Sequence, residues 1–105
     1  MQIQIHTDHN IEGREALSAH VTGVVESALG RFRERLTRVD VHLSDQNGGK
    51  GGEDDKRCML EARLAGRPPT AVSHQAASLD QALDGAIDKL KGTLDTTIGR
   101  EQEHR

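Results

Sequence analysis

Leu79, Leu83, Ile87, Leu90, Leu94 and Ile98 recur at spacings of four, four, three, four and four. Only an α-helix gathers such positions into one stripe, so this segment is a one-sided helix that needs an apolar surface to lie on. Ser78, followed three residues later by Gln81, is the capping-box signature of its start. A second stripe begins at Arg14: Leu17, Val21, Val24, Val25, Ala28, Leu29, Phe32 and Leu36 are three or four apart, or adjacent. It predicts a helix with Gly13 as N-cap, and Arg31 to Arg35 then form a cationic last turn that complements the helix dipole.

What the helices lie on is read from period-two alternation. Ile3 and Ile5 alternate with Gln2, Gln4 and His6; Val39, Val41 and Leu43 alternate with Arg38, Asp40, His42 and Ser44. Cys58, Leu60, Ala62 and Leu64 share one strand face, opposite Arg57, Met59, Glu61 and Arg63. Gly66-Arg67-Pro68-Pro69 turns the chain into a fourth strand at about residues 70–75, with the prolines kept out of the ladder. The order β-α-β-β-β-α predicts an α+β domain, a four-stranded mixed sheet with two helices packed on one face. The first two strands, joined through a helix, should be parallel by the right-handed crossover rule, and the rest should form an antiparallel meander.

Residues 1–105 read as a single domain, with a flexible glycine-rich loop at 45–55 and a frayed end at 99–105. Hydrophobic residues make up 33% of the chain and Phe32 is the one aromatic, so the core falls to Val, Leu, Ile and Ala. Leu17, Val21, Phe32, Leu60, Leu83, Ile87 and Leu90 are expected in it. That composition leaves no aromatic platform for stacking bases.

Several chemistries are excluded on pattern. Lys50 in Gly48-Gly49-Lys50-Gly51-Gly52 leads through glycine and acid into a strand, whereas a phosphate-cradling Walker loop runs Gly-Lys-Ser/Thr into a helix. His6, His9, His20, His42, His74, His104 and Cys58 show no metal-ligand spacing, so no metal or cofactor is expected. Cys58 sits in an apolar strand register, and no carboxylate pair or triad points to an enzyme or a small-molecule substrate. Asp84, Asp88 and Lys91 have helix-surface ion-pair spacing. No stretch reaches the ~20 apolar residues of a membrane span. The N-terminus lacks a signal-peptide pattern and the cysteine is alone, which together suggest a cytoplasmic protein.

The formal net charge is −3, yet Arg31, Arg33, Arg35 and Arg38 crowd one segment and Glu53, Asp54 and Asp55 another. If the helices lie side by side, those four arginines with Lys89 and Lys91 form a cationic, RNA-binding surface, where phosphate contacts position RNA without reading sequence.

Met1-Gln2-Ile3-Gln4-Ile5, Glu15-Ala16-Leu17, Arg38-Val39-Asp40-Val41-His42-Leu43 and above all Ala82-Leu83-Asp84-Gly85-Ala86-Ile87-Asp88-Lys89-Leu90 resemble the ribosome hibernation-promoting factor and ribosome-associated inhibitor family. The resemblance spans roughly residues 1–98 and implies the same β-α-β-β-β-α fold. It further implies binding to the small ribosomal subunit, through ribosomal RNA in the channel for tRNA and messenger RNA, which silences idle ribosomes under stress. Ending at Arg105, the chain resembles the family's short class and is expected as a monomer or weak dimer. Family members usually continue the second helix with further lysines and arginines, where this chain has Gly92, Asp95 and Thr96, and their usual aromatic before the Ala-Leu-Asp segment is Asp80 or Gln81 here. The alternative is therefore a diverged paralogue that kept the fold and binds a protein partner.

Overall fold

The computed structural model describes residues 1–8, 11, 13–45 and 55–103. The chain runs β1 (Gln2–Thr7), α1 (Arg14–Leu29), a 3-10 turn (Gly30–Phe32), β2 (Leu36–Asp45), β3 (Lys56–Leu64), β4 (Thr70–Ala76) and α2 (Leu79–Glu103). The sheet order is β1-β2-β3-β4, with β1 parallel to β2 and the remaining pairs antiparallel. That is the α+β order and mixed sheet expected from alternation and crossover handedness.

Alternation makes the sheet one-sided. Val39, Val41 and Leu43 of β2 and Cys58, Leu60, Ala62 and Leu64 of β3 are buried. They join Val21, Val25 and Leu29 of α1 and Leu83, Ile87, Leu90 and Leu94 of α2 in one cluster. Phe32, Leu60 and the α2 residues occupy the core as expected, while Leu17 packs against it half-buried. α2 lies across β3 and β4, and α1 lies against β1. Positions of the opposite parity form an open face carrying Gln4, His6, Arg38, Asp40, His42, Arg57, Glu61 and Arg63.

Two expectations at the end of α1 are corrected. The helix stops at Leu29 rather than running to Leu36, because Gly30, a poor helix former, opens a 3-10 turn closed by Arg33 N–H donating to Gly30 O at 3.1 Å. Phe32 still reaches the core from that turn, so its place on the helical stripe is coincidental. Leu36 instead opens β2, and a register shift between Leu36 and Arg38 lets Leu36 and Val39 both point inward despite their odd separation. Arg31 to Arg35 are consequently not the last turn of α1.

The loop expected at 45–55 begins and ends on buried carboxylates. Lys56 Nζ lies 2.9 Å from Asp55 Oδ2 and 3.5 Å from Asp45 Oδ2, and Asp45 N–H donates to Asp8 Oδ2 at 3.1 Å. Asp55, one of the acidic cluster with Glu53 and Asp54 in the sequence, is thus a buried ion-pair partner rather than a solvated charge. Residues 46–54, with the expected mobility of the glycine run and with Glu53 and Asp54, lie outside the described residues. So do His9, and His104 and Arg105 of the expected frayed end; residues 99–103 continue α2.

Ser78 caps α2: Gln81 N–H donates to Ser78 Oγ at 3.1 Å. Ser78→Ala is expected to lower unfolding stability by about 1 kcal/mol, measured by urea titration, and an unchanged midpoint would show the cap to be dispensable.

Candidate nucleic-acid interface

The six expected RNA-binding residues are distributed over several surfaces. Arg31 spans from the 3-10 turn to α2, donating from Nη1 and Nη2 to the two carboxylate oxygens of Asp95 at 2.8 and 2.9 Å. Its guanidinium carbon also lies 4.2 Å from the centre of the Phe32 ring. Arg35 Nη2 donates to both oxygens of Glu101 at 3.0 and 2.8 Å, and Arg67 Nε bonds the same carboxylate. The helix-dipole role expected for these arginines is replaced by forked pairs that fix the far half of α2.

Lys89 and Lys91, two residues apart, project to different flanks of α2 because each residue turns the helix by about 100°. Lys89 Nζ donates to Ser73 O on the edge strand β4 at 2.8 Å. Lys91 faces the other way, one turn before Asp95, where its charge combines with that of Arg31. Arg33 is exposed, and its guanidinium has no hydrogen-bond or ion-pair partner among the described residues. Arg38 is on the opposite side of the molecule. On the open sheet face it donates from Nε to Asp40 Oδ2 at 2.8 Å and from Nη2 to Gln4 Oε1 at 2.9 Å. The structure brings Arg31 and Lys91 together near Arg33's end of α1, sets Lys89 on the β4 flank, and separates Arg38 from all of them by the thickness of the sheet.

Carboxylate pairing is the main electrostatic feature. The Arg31 fork holds Asp95 below the usual carboxylate range, and Arg67 and Arg35 do the same for Glu101. Arg38, aided by His6, lowers Asp40, and Lys56 lowers Asp55. Each depressed folded-state value means that the unfolded chain binds more protons, so the stabilisation is present above the ordinary values of 3.8 for Asp and 4.5 for Glu and is lost as pH falls through the lower folded ones. Thermal melts are therefore expected to hold a steady midpoint near neutrality and to fall progressively below about pH 4.5. A midpoint insensitive to acid would remove these pairs from the account.

The open face also carries residues that strand alternation puts there and whose partners across the sheet the register sets. Across the sheet, His6 is opposite His42 and His42 opposite Met59; one step on, Asp40 is opposite Glu61; and Arg38 is opposite Arg63. The His6 and His42 rings stack with centres 4.6 Å apart and planes 13° from parallel. The guanidinium groups of Arg57 and Arg63 have no hydrogen-bond or ion-pair partner among the described residues. In the sequence these two arginines show only as polar positions of an alternating strand; their common face with the histidines was the available signal.

Among the described residues no group of three or more His, Cys, Asp or Glu is placed to hold a metal ion. Burial pushes the Cys58 thiol up to about 12, which keeps it protonated and poorly nucleophilic. No helix of the described residues is long and apolar enough to cross a membrane.

A family model described as sigma 54 modulation protein / S30EA ribosomal protein matches residues 3–101. Among solved structures, the N-terminal domain of Protein Y from Thermus thermophilus is similar at a TM-score of 0.70 and 23% identity, over 92% of this chain and 99% of that one. A ribosomal subunit interface protein from Coxiella burnetii is similar at a TM-score of 0.72 and 15% identity, over 94% and 99% of the two chains. At these identities the structural likeness establishes the fold. No curated protein sequence matches.

Proposed function

The chain belongs to the sigma 54 modulation protein / S30EA ribosomal protein family, and from that membership we propose that it is a translation-silencing factor of idle ribosomes that binds the small ribosomal subunit through ribosomal RNA. The role is binding rather than catalysis, and the place of action is the cytoplasm. The family match over residues 3–101 carries the reading.

The charge layout supports a particular form of it. Arg33, Lys89 and Lys91 are not neutralised by a forked carboxylate, so they are the cations of the original six best placed to meet phosphate. Arg31 and Arg35 are held by Asp95 and Glu101 and shape the surface more than they charge it. Phosphate contacts from so few side chains give binding that tolerates sequence and depends on the shape of the RNA. The protein-partner alternative finds little support, because no large hydrophobic residue is exposed among the described ones and protein interfaces rely on buried apolar or aromatic anchors.

The experiment is sedimentation of the protein with purified small subunits, alongside cell-free translation to which it is added. Pelleting with the small subunit and reduced peptide synthesis are expected. Protein that stays in the supernatant and leaves synthesis unchanged overturns the reading and puts the protein-partner alternative ahead.

A further inference from the structure

The open face of the sheet has an order of its own. Along β3, Arg57, Met59, Glu61 and Arg63 project from it in succession, about 6.6 Å apart, so the two arginines stand roughly 20 Å from one another. Beside Met59 lies the stacked His6–His42 pair, and His6, on the edge strand, leaves 46% of its side chain exposed. His6 Nε2 lies 3.1 Å from Asp40 Oδ1, which fixes the orientation of that ring, while Asp40 itself is occupied by Arg38. Glu61 is different. Its side chain is 44% exposed; it feels the charge of Arg38, and its ion-pair neighbour His42 Nε2 lies 3.9 Å away, too far for a hydrogen bond, while that buried nitrogen has no hydrogen-bond partner among the described residues.

We propose that this open face is a single-stranded RNA-binding surface, in which a base stacks on the His6–His42 pair, Glu61 accepts a hydrogen bond from an exocyclic amino group, and Arg57 and Arg63 hold phosphates on either side. Histidine rings on an exposed sheet supply the flat π surface that a chain without Trp or Tyr otherwise lacks, and single-stranded bases are recognised by such stacking. The arginine side chains have no partner among the described residues, guanidinium suits phosphate, and their positions flank the rings and the carboxylate. An exposed carboxylate between them repels a phosphate but accepts from the amino group of cytosine, adenine or guanine, which uracil lacks. A protein occupant is disfavoured by the absence of exposed large hydrophobics among the described residues. The inference adds a second surface to the ribosomal-RNA reading and uses none of the helix-side cations.

The test is fluorescence anisotropy at low salt with labelled oligocytidine and oligouridine of about eight nucleotides. Wild-type protein is expected to bind oligocytidine more tightly than oligouridine. His6→Ala with His42→Ala should weaken oligocytidine binding roughly tenfold or more, as should Arg57→Glu with Arg63→Glu, and Glu61→Met should erase the preference. Circular dichroism establishes that each variant is folded, and the arginine pair, whose side chains have no partner to lose among the described residues, keeps the test open if the histidine pair does not fold. Both double variants binding like wild type overturns the inference, as does wild-type protein that binds neither oligomer while pelleting with small subunits. Oligomer binding without subunit pelleting upholds this inference and removes the small-subunit reading.

Discussion

Replacing Gly85 with alanine should lower unfolding stability by about 1–3 kcal/mol, although the same change in an unobstructed helix interior raises it by up to about 1 kcal/mol. The reason is His74. A Cβ built at position 85 comes within 2.5 Å of His74 Cγ and Nε2 and meets Cδ2 more closely still. His74 projects inward from β4, in the same parity as Val72, so its ring fills the place where a side chain on α2 would go. Gly92, two turns on, supplies the control, since a Cβ there meets nothing within 4 Å. Gly92→Ala should stabilise where Gly85→Ala destabilises, and His74→Ala combined with Gly85→Ala should recover stability with a coupling of about 0.5–3 kcal/mol. Urea unfolding of Gly85→Ala, Gly92→Ala, His74→Ala and the double variant decides it. Equal stabilisation by both glycine substitutions would mean that α2 does not approach β4 as closely as described. The consequence reaches the surface, because Lys89 is one turn beyond Gly85 and bonds Ser73 O only while helix and strand are this close.

Reversing Arg33 and Lys89 together to glutamate should reduce affinity for the small subunit by roughly two orders of magnitude at low salt. Two phosphate contacts become two repulsions, and neither residue belongs to a forked carboxylate pair whose loss would disturb the fold. Lys89 loses only its bond to the Ser73 carbonyl, so the unfolding midpoint should scarcely move. The same reversal should reduce the slope of log affinity against log salt by about 1 for each contact removed. Wild-type affinity in the double variant would leave the helix-side cations as solvated surface and return the question to the open sheet face.

How much of this was legible in the sequence depended on whether the signal was local. The α2 stripe, the Ser78 cap, the one-sided strands and the parallel crossover follow from spacing and turn chemistry within a few residues of each other. The end of α1 did not, because Phe32 and Leu36 satisfy helical spacing while one reaches the core from a 3-10 turn and the other from a bulged strand. Gly30 was the local cue. The charged surface was the least legible part. Arg31 and Asp95 are 64 residues apart, Arg35 and Glu101 66, and no local pattern states that these arginines are neutralised. The His6–His42 stack required the register of β1 against β2, and the steric role of Gly85 required β4 beneath α2.

The most direct measurement is the binding of wild-type protein to purified small ribosomal subunits at two or more salt concentrations. With Arg33, Lys89 and Lys91 as the principal phosphate contacts, log affinity should fall linearly with log salt at a slope of about −2 to −3. Binding that ignores salt, or none at the lowest concentration, would contradict an account built on those cations meeting RNA.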